Sequence, residues 1–182
     1  MSIRKRILVA AISILAVATV TPAATADRPS TPKDPVVDAR PSTGRPIAGA
    51  PTLELIEDDG RDRPTNETMG VQASYLPFNF TYDFSTALAS RTFWPSPSGQ
   101  ACVGLRGTGS TDPNYWTREI KVEMWNAYGT DTKVGPTVRY SLNGAYHGYC
   151  WAGLYPYHEH YFRLTKDWGP SRVWGNGWVS AY

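Results

Sequence analysis

The residues best suited to chemistry in this sequence are its three histidines, two of which flank a glutamate in His158-Glu159-His160. Residues i and i+2 of a β-strand point to the same side, so two imidazoles placed in this way could grip one metal ion. A third ligand is needed, and His147 is the remaining histidine. The trio directly follows Tyr155-Pro156-Tyr157, a sequence typical of a loop. We therefore predict that His158 and His160 are exposed, and we predict neither a metal site nor a cofactor.

Other catalytic patterns are weaker still. No serine lies in a Gly-x-Ser-x-Gly turn, and the glycines between Gly104 and Gly109 come without the lysine of a phosphate loop, so we interpret that stretch as a pliant loop. Glu119 and Glu123 would lie about 13 Å apart along a strand, which is too far for a glycosidase pair. The sequence favours binding over catalysis. A small hydrolase or metal protein that uses His158 and His160 is one alternative, and a secreted protease inhibitor or toxin is another.

The aromatic residues are the most unusual feature, since all seven Trp, eleven Tyr and five Phe lie between Tyr75 and Tyr182. Many of them must fill a core, but some fall where exposure is expected. Exposed rings offer flat apolar faces at low entropic cost, which suits a sugar ring or a protein partner. We predict that the chain binds carbohydrate or an extracellular protein through its surface aromatic residues. The candidates lie on the solvent side of a predicted strand, in predicted turns, or on the last strand: Trp125, Tyr155, Tyr157, Trp168 and Trp178.

The first 26 residues have the pattern of a secretory signal. The basic run Arg4-Lys5-Arg6 precedes an uncharged apolar stretch over 7–20, which is shorter than the roughly 20 residues of a membrane-spanning helix. The small residues of Ala24-Thr25-Ala26 suit a signal peptidase, so we predict cleavage before Asp27 and a secreted, extracellular chain. No second long apolar run follows, which predicts no stable membrane anchor.

The charge of the processed chain argues against some partners. Removing the three basic residues of the signal leaves 15 Lys and Arg against 16 Asp and Glu, and the formal charge changes from +2 to −1. A near-neutral chain without a dense basic cluster lacks the electrostatic footprint of a protein that binds nucleic acid or an anionic membrane.

Residues 27–69 differ in composition from the rest of the chain. They include seven prolines and no aromatic residue, so they cannot bury enough apolar surface to offset the entropy of ordering. We predict a disordered, proline-rich tether. The exception is the β-prone run Thr52 to Ile56, which could dock as an extra strand.

Residues 70–182 have the periodicity of strands. Phe78, Phe80, Tyr82 and Phe84 alternate with polar residues, and so do Ile120, Val122 and Met124. Asn143-Gly144 predicts a hairpin turn, because both of its positions accept positive φ. Two further strands are expected over 160–165 and 172–180. This pattern predicts an all-β domain, either a small antiparallel β-sandwich or a barrel.

Two cysteines in an exported chain most simply form one disulfide, Cys102 to Cys150. The order Cys102, Trp116, Cys150 and the later Trp174-Gly175-Asn176-Gly177 resemble the landmarks of immunoglobulin variable domains. The chain departs from that pattern at Gly148, where those domains carry the tyrosine of the tyrosine corner. The resemblance implies a disulfide-pinned sandwich that is immunoglobulin-like in general layout, and not membership of that family.

Overall fold

The computed structural model describes residues 34–57 and 74–182. These residues form thirteen strands and one short 3-10 helix, and no helix within them is long and apolar enough to cross a membrane. The strands are β1 (Val36–Asp38), β2 (Arg40–Pro41), β3 (Thr52–Ile56), β4 (Ser74–Tyr75), β5 (Phe78–Phe84), β6 (Ala87–Ala89), β7 (Phe93–Trp94), β8 (Gln100–Ser110), β9 (Glu119–Asn126), β10 (Thr132–Ser141), β11 (His147–Ala152), β12 (His160–Thr165) and β13 (Val173–Ser180).

The strands form two sheets. A seven-stranded sheet has the order β1-β10-β9-β12-β7-β4, with β6 also paired to β12, and a six-stranded sheet has the order β2-β11-β8-β13-β5-β3. Both sheets are mixed, because short strands at their edges pair in parallel: β1 with β10, β4 with β7, and β3 with β5. The all-β prediction is confirmed. The prediction of purely antiparallel sheets is wrong because of these parallel pairs, and the barrel alternative is wrong because neither sheet closes.

The core lies between the two sheets and is built from alternating residues. Ile120, Val122 and Met124 on β9 are fully buried, as their spacing predicts. Phe80 of the six-stranded sheet meets Phe162 of the seven-stranded sheet, with ring centroids 5.0 Å apart. A buried hydroxyl bridges the sheets as well, since Tyr140 donates to the carbonyl oxygen of Val103 at 2.7 Å. Burial raises the pKa of Tyr140, so its hydroxyl stays protonated and remains a donor.

Glycines of the six-stranded sheet lie opposite aromatic rings. Gly104 pairs with Trp178 and Gly109 pairs with Trp174, and a Cβ on these glycines would come within 2.1 Å and 2.4 Å of the respective indoles. The missing side chains let each ring lie across the neighbouring strand, which covers backbone that glycine leaves bare. The interpretation of Gly104 to Gly109 as a pliant loop is therefore wrong, because these residues belong to β8. The inner face repeats the arrangement, with Gly175 opposite Tyr82 and Gly177 opposite Phe80.

Residues 34–57 are part of both sheets, so the predicted disordered tether is wrong over this range. β1 joins the seven-stranded sheet, whereas β2 and β3 join the six-stranded sheet. The docking of Thr52–Ile56 as a strand is confirmed. Pro35 and Pro51 directly precede edge strands and Pro41 ends one, positions where a missing N–H costs little. The compact unit accordingly begins at Asp34 and not at residue 70. The predicted signal peptide and residues 27–33 and 58–69 lie outside the described residues.

Polar contacts fasten this N-terminal segment to the rest of the unit. Lys133 donates to Asp34 at 2.6 Å, and the Asn79 side chain bonds to the backbone N–H and carbonyl of Ile47. At the end of the segment, the Glu57 carboxylate accepts three backbone N–H groups of the β5–β6 turn at 2.5, 2.8 and 3.1 Å. Burial acts to raise the pKa of Glu57, but these donors outweigh it and hold the pKa below its ordinary value.

The Asn143-Gly144 turn connects the two sheets. Gly144 has φ of 83°, and the Asn143 side chain accepts the backbone N–H of Ala145 at 3.1 Å, so a tight turn forms as predicted. The predicted hairpin does not form, because the strands on either side of the turn do not pair with each other. β10 pairs with β9 and β1, whereas β11 pairs with β8 and β2. Leu142 is fully buried beside the turn, and it anchors the chain where it leaves one sheet for the other.

The disulfide between Cys102 and Cys150 is confirmed. The two cysteines are direct partners on neighbouring strands β8 and β11, on the side of the sheet away from the core. Immunoglobulin domains instead join two sheets with their disulfide and pack a buried tryptophan against it. Trp116 here is 53% exposed in the 3-10 helix Tyr115–Thr117. These two landmarks therefore differ from the immunoglobulin arrangement.

Candidate functional site

Four aromatic side chains gather on two loops at one end of the seven-stranded sheet. Tyr128 lies between β9 and β10, whereas Tyr155, Tyr157 and His158 lie between β11 and β12. The three tyrosines are 69%, 60% and 87% exposed. The imidazole of His158 stacks with Tyr128 at 4.3 Å and with Tyr155 at 5.0 Å between ring centroids. We call these four residues the tyrosine cluster.

A buried asparagine at the end of β9 positions the cluster. The Oδ1 atom of Asn126 accepts the backbone N–H of Tyr128 at 2.9 Å, which turns its amide nitrogen towards His158. That nitrogen lies 3.0 Å from Nδ1 of His158, so Nδ1 accepts and the proton of the neutral ring is on Nε2. The backbone N–H of Ala127 also donates to the backbone carbonyl oxygen of Glu159 at 2.8 Å, which ties the two loops together. The rings are thus held on a fixed frame.

Glycines shape both loops. Gly129 and Gly153 have φ of 70° and 75°, values that residues other than glycine rarely adopt. Exposure of Tyr155 and Tyr157 in a turn is confirmed. Tyr128 was missed by the sequence reasoning, although an aromatic residue directly before Gly129 in a polar turn is the same signal that singled out the other two tyrosines.

Trp125 lies on the outer side of its sheet, as strand parity predicts, but its ring is half-buried. It stacks against Tyr161 with centroids 6.4 Å apart, and its Nε1 is enclosed without a hydrogen-bond partner. Tyr161 lies directly opposite on β12 and covers one side of the indole. The predicted outward direction of Trp125 is therefore confirmed, but its ring is packed against Tyr161 and is not a free platform.

Trp168 is also packed, although it lies in a turn as predicted. Its Nε1 donates to the carbonyl of Glu119 at 2.7 Å, and the Lys166 ammonium lies 4.4 Å from the centre of its ring. Lys166 in turn donates to the carbonyls of Trp168 and Gly169. Burial lowers the pKa of Lys166, and nearby carboxylates oppose that shift. The ring closes this turn onto the sheet, and the prediction that it is freely exposed is wrong.

Trp178 is buried, with only 7% of its surface exposed, so its proposed role as an exposed platform needs correction. It points away from the core, but Gly44 of the N-terminal segment lies over it, and Tyr146 packs edge-on with centroids 5.1 Å apart. The segment that was predicted to be a tether thus covers this ring.

The histidines do not form the metal-binding pair that their spacing would allow on a strand. His158 precedes β12 and stacks in the tyrosine cluster, whereas His160 is fully buried, so the expected exposure of both is wrong for His160. Nδ1 of His160 donates to the carbonyl of His158 at 2.9 Å, and its Nε2 is enclosed without a partner. Burial lowers the pKa of His160, which keeps the ring neutral. His147 is buried in the other sheet. Across residues 34–57 and 74–182, no three side chains of His, Cys, Asp or Glu come together in a way that could hold a metal ion.

No protein-family model and no curated protein sequence matches this chain.

Proposed function

We propose that this chain is a secreted β-sandwich domain that binds carbohydrate through the tyrosine cluster. The observation that carries the proposal is the stacking of His158 with Tyr128 and Tyr155, which fixes two largely exposed rings; a third exposed ring, Tyr157, lies on the same loop as Tyr155. Tyrosine combines an apolar ring with a hydroxyl and has few rotatable bonds, so it offers contact area at low entropic cost. The disulfide supports an oxidising compartment, as the predicted signal peptide does.

The size of the cluster favours a sugar over a protein. The three tyrosines are 60–87% exposed, and at about 200 Å² for each ring they present roughly 400 Å². A stable protein interface buries roughly 800 Å² on each partner. The cluster contains no acidic or basic residue other than the imidazole, so hydroxyl groups and ring faces are its natural complement. A short stretch of saccharide fits this surface better than a folded protein does.

The histidine-based alternative has less support. Catalysis or metal binding by His158 and His160 requires both imidazoles to reach the same solvent-accessible point. His160 is buried and donates to backbone, and His158 is engaged by Asn126 and two tyrosines. The inhibitor or toxin alternative uses the same loop around Tyr155 and is separated from the proposal by experiment.

The test is retention of the purified chain on insoluble chitin, cellulose and xylan, followed by measurement of affinity for the retaining polymer. The triple variant Tyr128→Ala, Tyr155→Ala, Tyr157→Ala should bind at least tenfold more weakly, since an exposed aromatic contact is worth more than about 1 kcal/mol. Trp116→Ala is the matched control, because it removes another exposed ring at the opposite end of β9. Unchanged affinity of the triple variant, or no retention of the wild type on any of the polymers, would refute the proposal. Stoichiometric inhibition of a protease would favour the inhibitor instead.

A further inference from the structure

A groove lies on the outer side of the six-stranded sheet, on one side of the N-terminal segment that crosses this face. The segment forms a wall of the groove, since Gly44 lies against the indole of Trp178. Ser180 and Tyr182 also line the groove, and the Ser180 hydroxyl donates to the backbone oxygen of Tyr182 at 2.6 Å. The volume is about 490 Å³, which is in the range of sites that admit a small molecule.

The disulfide lines this groove, and its two cysteines differ in exposure. Cys150 is exposed, whereas only 7% of the surface of Cys102 is accessible. Cys102 lies on an interior strand with Ser180 of β13 beside it. Cys150 lies on β11, and the pairing of β11 with β2 ends at Gly148, before Cys150 is reached. Because a disulfide opens when a thiolate reaches one of its sulfurs, Cys150 is the sulfur that a molecule in the groove can attack.

Arg40 places a positive charge at the groove. It pairs with Gly148, two residues before Cys150, so Arg40 and Cys150 share the outer side of the sheet and their Cβ atoms lie about 7–8 Å apart. Among the residues that the structure describes, no acidic side chain lines the groove and none forms an ion pair with Arg40. The neighbouring Asp38 is held by Arg139 at 2.8 Å. Arg40 therefore attracts anions to the groove.

We propose that Cys150 is a site of thiol–disulfide exchange with a small anionic thiol, such as a peptide thiol that carries carboxylates. The thiolate sulfur attacks Sγ of Cys150 and forms a new S–S bond. The bond to Cys102 breaks, and its electron pair leaves on Sγ of Cys102, which takes a proton from water. A second thiolate that attacks the mixed disulfide releases Cys150 as a thiol and leaves the two small thiols joined as a disulfide. Two thiols thus supply both electrons, and no other reductant is required.

The sheet can remain intact during this exchange. β8 and β11 are paired at six consecutive positions, and these backbone contacts do not require the disulfide. The reaction therefore takes place on the folded domain. The proposal uses none of the residues of the tyrosine cluster and does not depend on carbohydrate binding.

The first experiment follows the opening of the disulfide in the full wild-type chain. Glutathione, 2-mercaptoethanol and cysteamine are the probes, because their thiolates carry two, one and no net negative charges. Opened chains are trapped with N-ethylmaleimide and counted by mass spectrometry. The rate should be proportional to thiolate concentration and insensitive to urea below the unfolding transition, since the folded chain exposes Cys150. A rate that rises with urea in step with the unfolded fraction would overturn the proposal.

Arg40→Gln tests the preference for an anionic thiol. At low salt, one unit charge about 7 Å from another changes a rate roughly threefold in water. The variant should therefore slow opening by glutathione about threefold or more relative to opening by cysteamine. Arg172→Gln is the matched control, because it removes a cation at the other end of β13. Equal effects of Arg40→Gln on all three thiols, or equal effects of the two variants, would overturn the assignment of an anionic thiol.

Single-cysteine variants test which sulfur reacts. Cys102→Ala leaves the thiol of Cys150, and Cys150→Ala leaves the thiol of Cys102. With glutathione disulfide, the chain that keeps Cys150 should form the mixed disulfide about tenfold faster or more, because reactivity follows exposure. Thermal melts report whether each variant is folded, and the wild-type experiment does not depend on them. A Cys102 thiol that reacts as fast as that of Cys150 would overturn the assignment of Cys150.

Discussion

Replacing both cysteines by alanine should lower the stability of the domain by about 4 kcal/mol, a value that follows from the loop that the disulfide closes. Cys102 and Cys150 are 48 residues apart in sequence. Closing a loop of that length restricts the unfolded chain, and the chain-entropy relation gives about 4 kcal/mol near 25 °C. Alanine is the suitable replacement, because Cys102 is buried and serine would place a hydroxyl there.

Thermal unfolding followed by circular dichroism tests this value. A domain of this size loses about 2–4 °C in melting temperature for each kcal/mol, so the double variant should melt roughly 10 °C lower than the oxidised wild type. Reduced wild type should melt close to the variant, which controls for lost packing. Thiol titration of the denatured wild type should find no free thiol. A decrease of less than about 3 °C would refute the loop estimate and indicate that the unfolded chain without the disulfide retains structure that already restricts this loop.

Two further predictions concern the N-terminal segment. Glu57→Gln should cost about 1–2 kcal/mol at neutral pH, because hydrogen bonds from three backbone donors lose their charged acceptor. Since the pKa of Glu57 is depressed in the folded state, its contribution is present above the ordinary value of 4.5 and disappears as the pH falls through the folded pKa, so the difference in stability between the two proteins, measured by urea titration, should shrink as the pH is lowered below 4.5. After brief thermolysin treatment, the bonds within Val36–Asp38 and Thr52–Ile56 should stay uncut, because both stretches are paired in strands, and these stretches should co-elute with residues 74–182 in native size-exclusion chromatography. A resistant species that contains nothing before residue 64 would contradict the assignment of β1 to β3.

Alternation in the sequence identified the core correctly because it depends on local geometry. Phe78, Phe80, Tyr82 and Phe84 are all buried, as a two-residue period requires. The same reasoning assigned Trp125 to the outer side of its sheet but could not show what covers it there. The position of a residue along a strand predicts which side of the sheet its side chain faces. Its burial also depends on neighbours that are distant in sequence, as Gly44 covers Trp178.

Composition misled the interpretation of residues 34–57. An average over a long proline-rich stretch hides strands of two to five residues, and these strands are stabilised by contacts with partners far along the chain, such as Lys133 with Asp34. The Asn143-Gly144 turn shows a related limit, because local turn chemistry does not specify which sheet the next strand will join. For the candidate site, turn residues located Tyr155 and Tyr157, but the stacking of Tyr155 and Tyr128 on His158 depends on the pairing of β9 with β12.

The central position of β13 has a consequence for how the chain is made. It is the last strand in sequence, yet it lies between β8 and β5 and supplies both with their hydrogen-bonding partner. β1 is also made about 100 residues before its partner β10, since the Asp38–Arg139 contact spans 101 residues. At roughly 5–20 residues per second, β1 waits about 5–20 s for that partner. No N-terminal portion of the chain can therefore complete the six-stranded sheet during synthesis. Until β13 emerges, one edge of β5 and one edge of β8 lack their partner strand, and each is open to pairing with another chain.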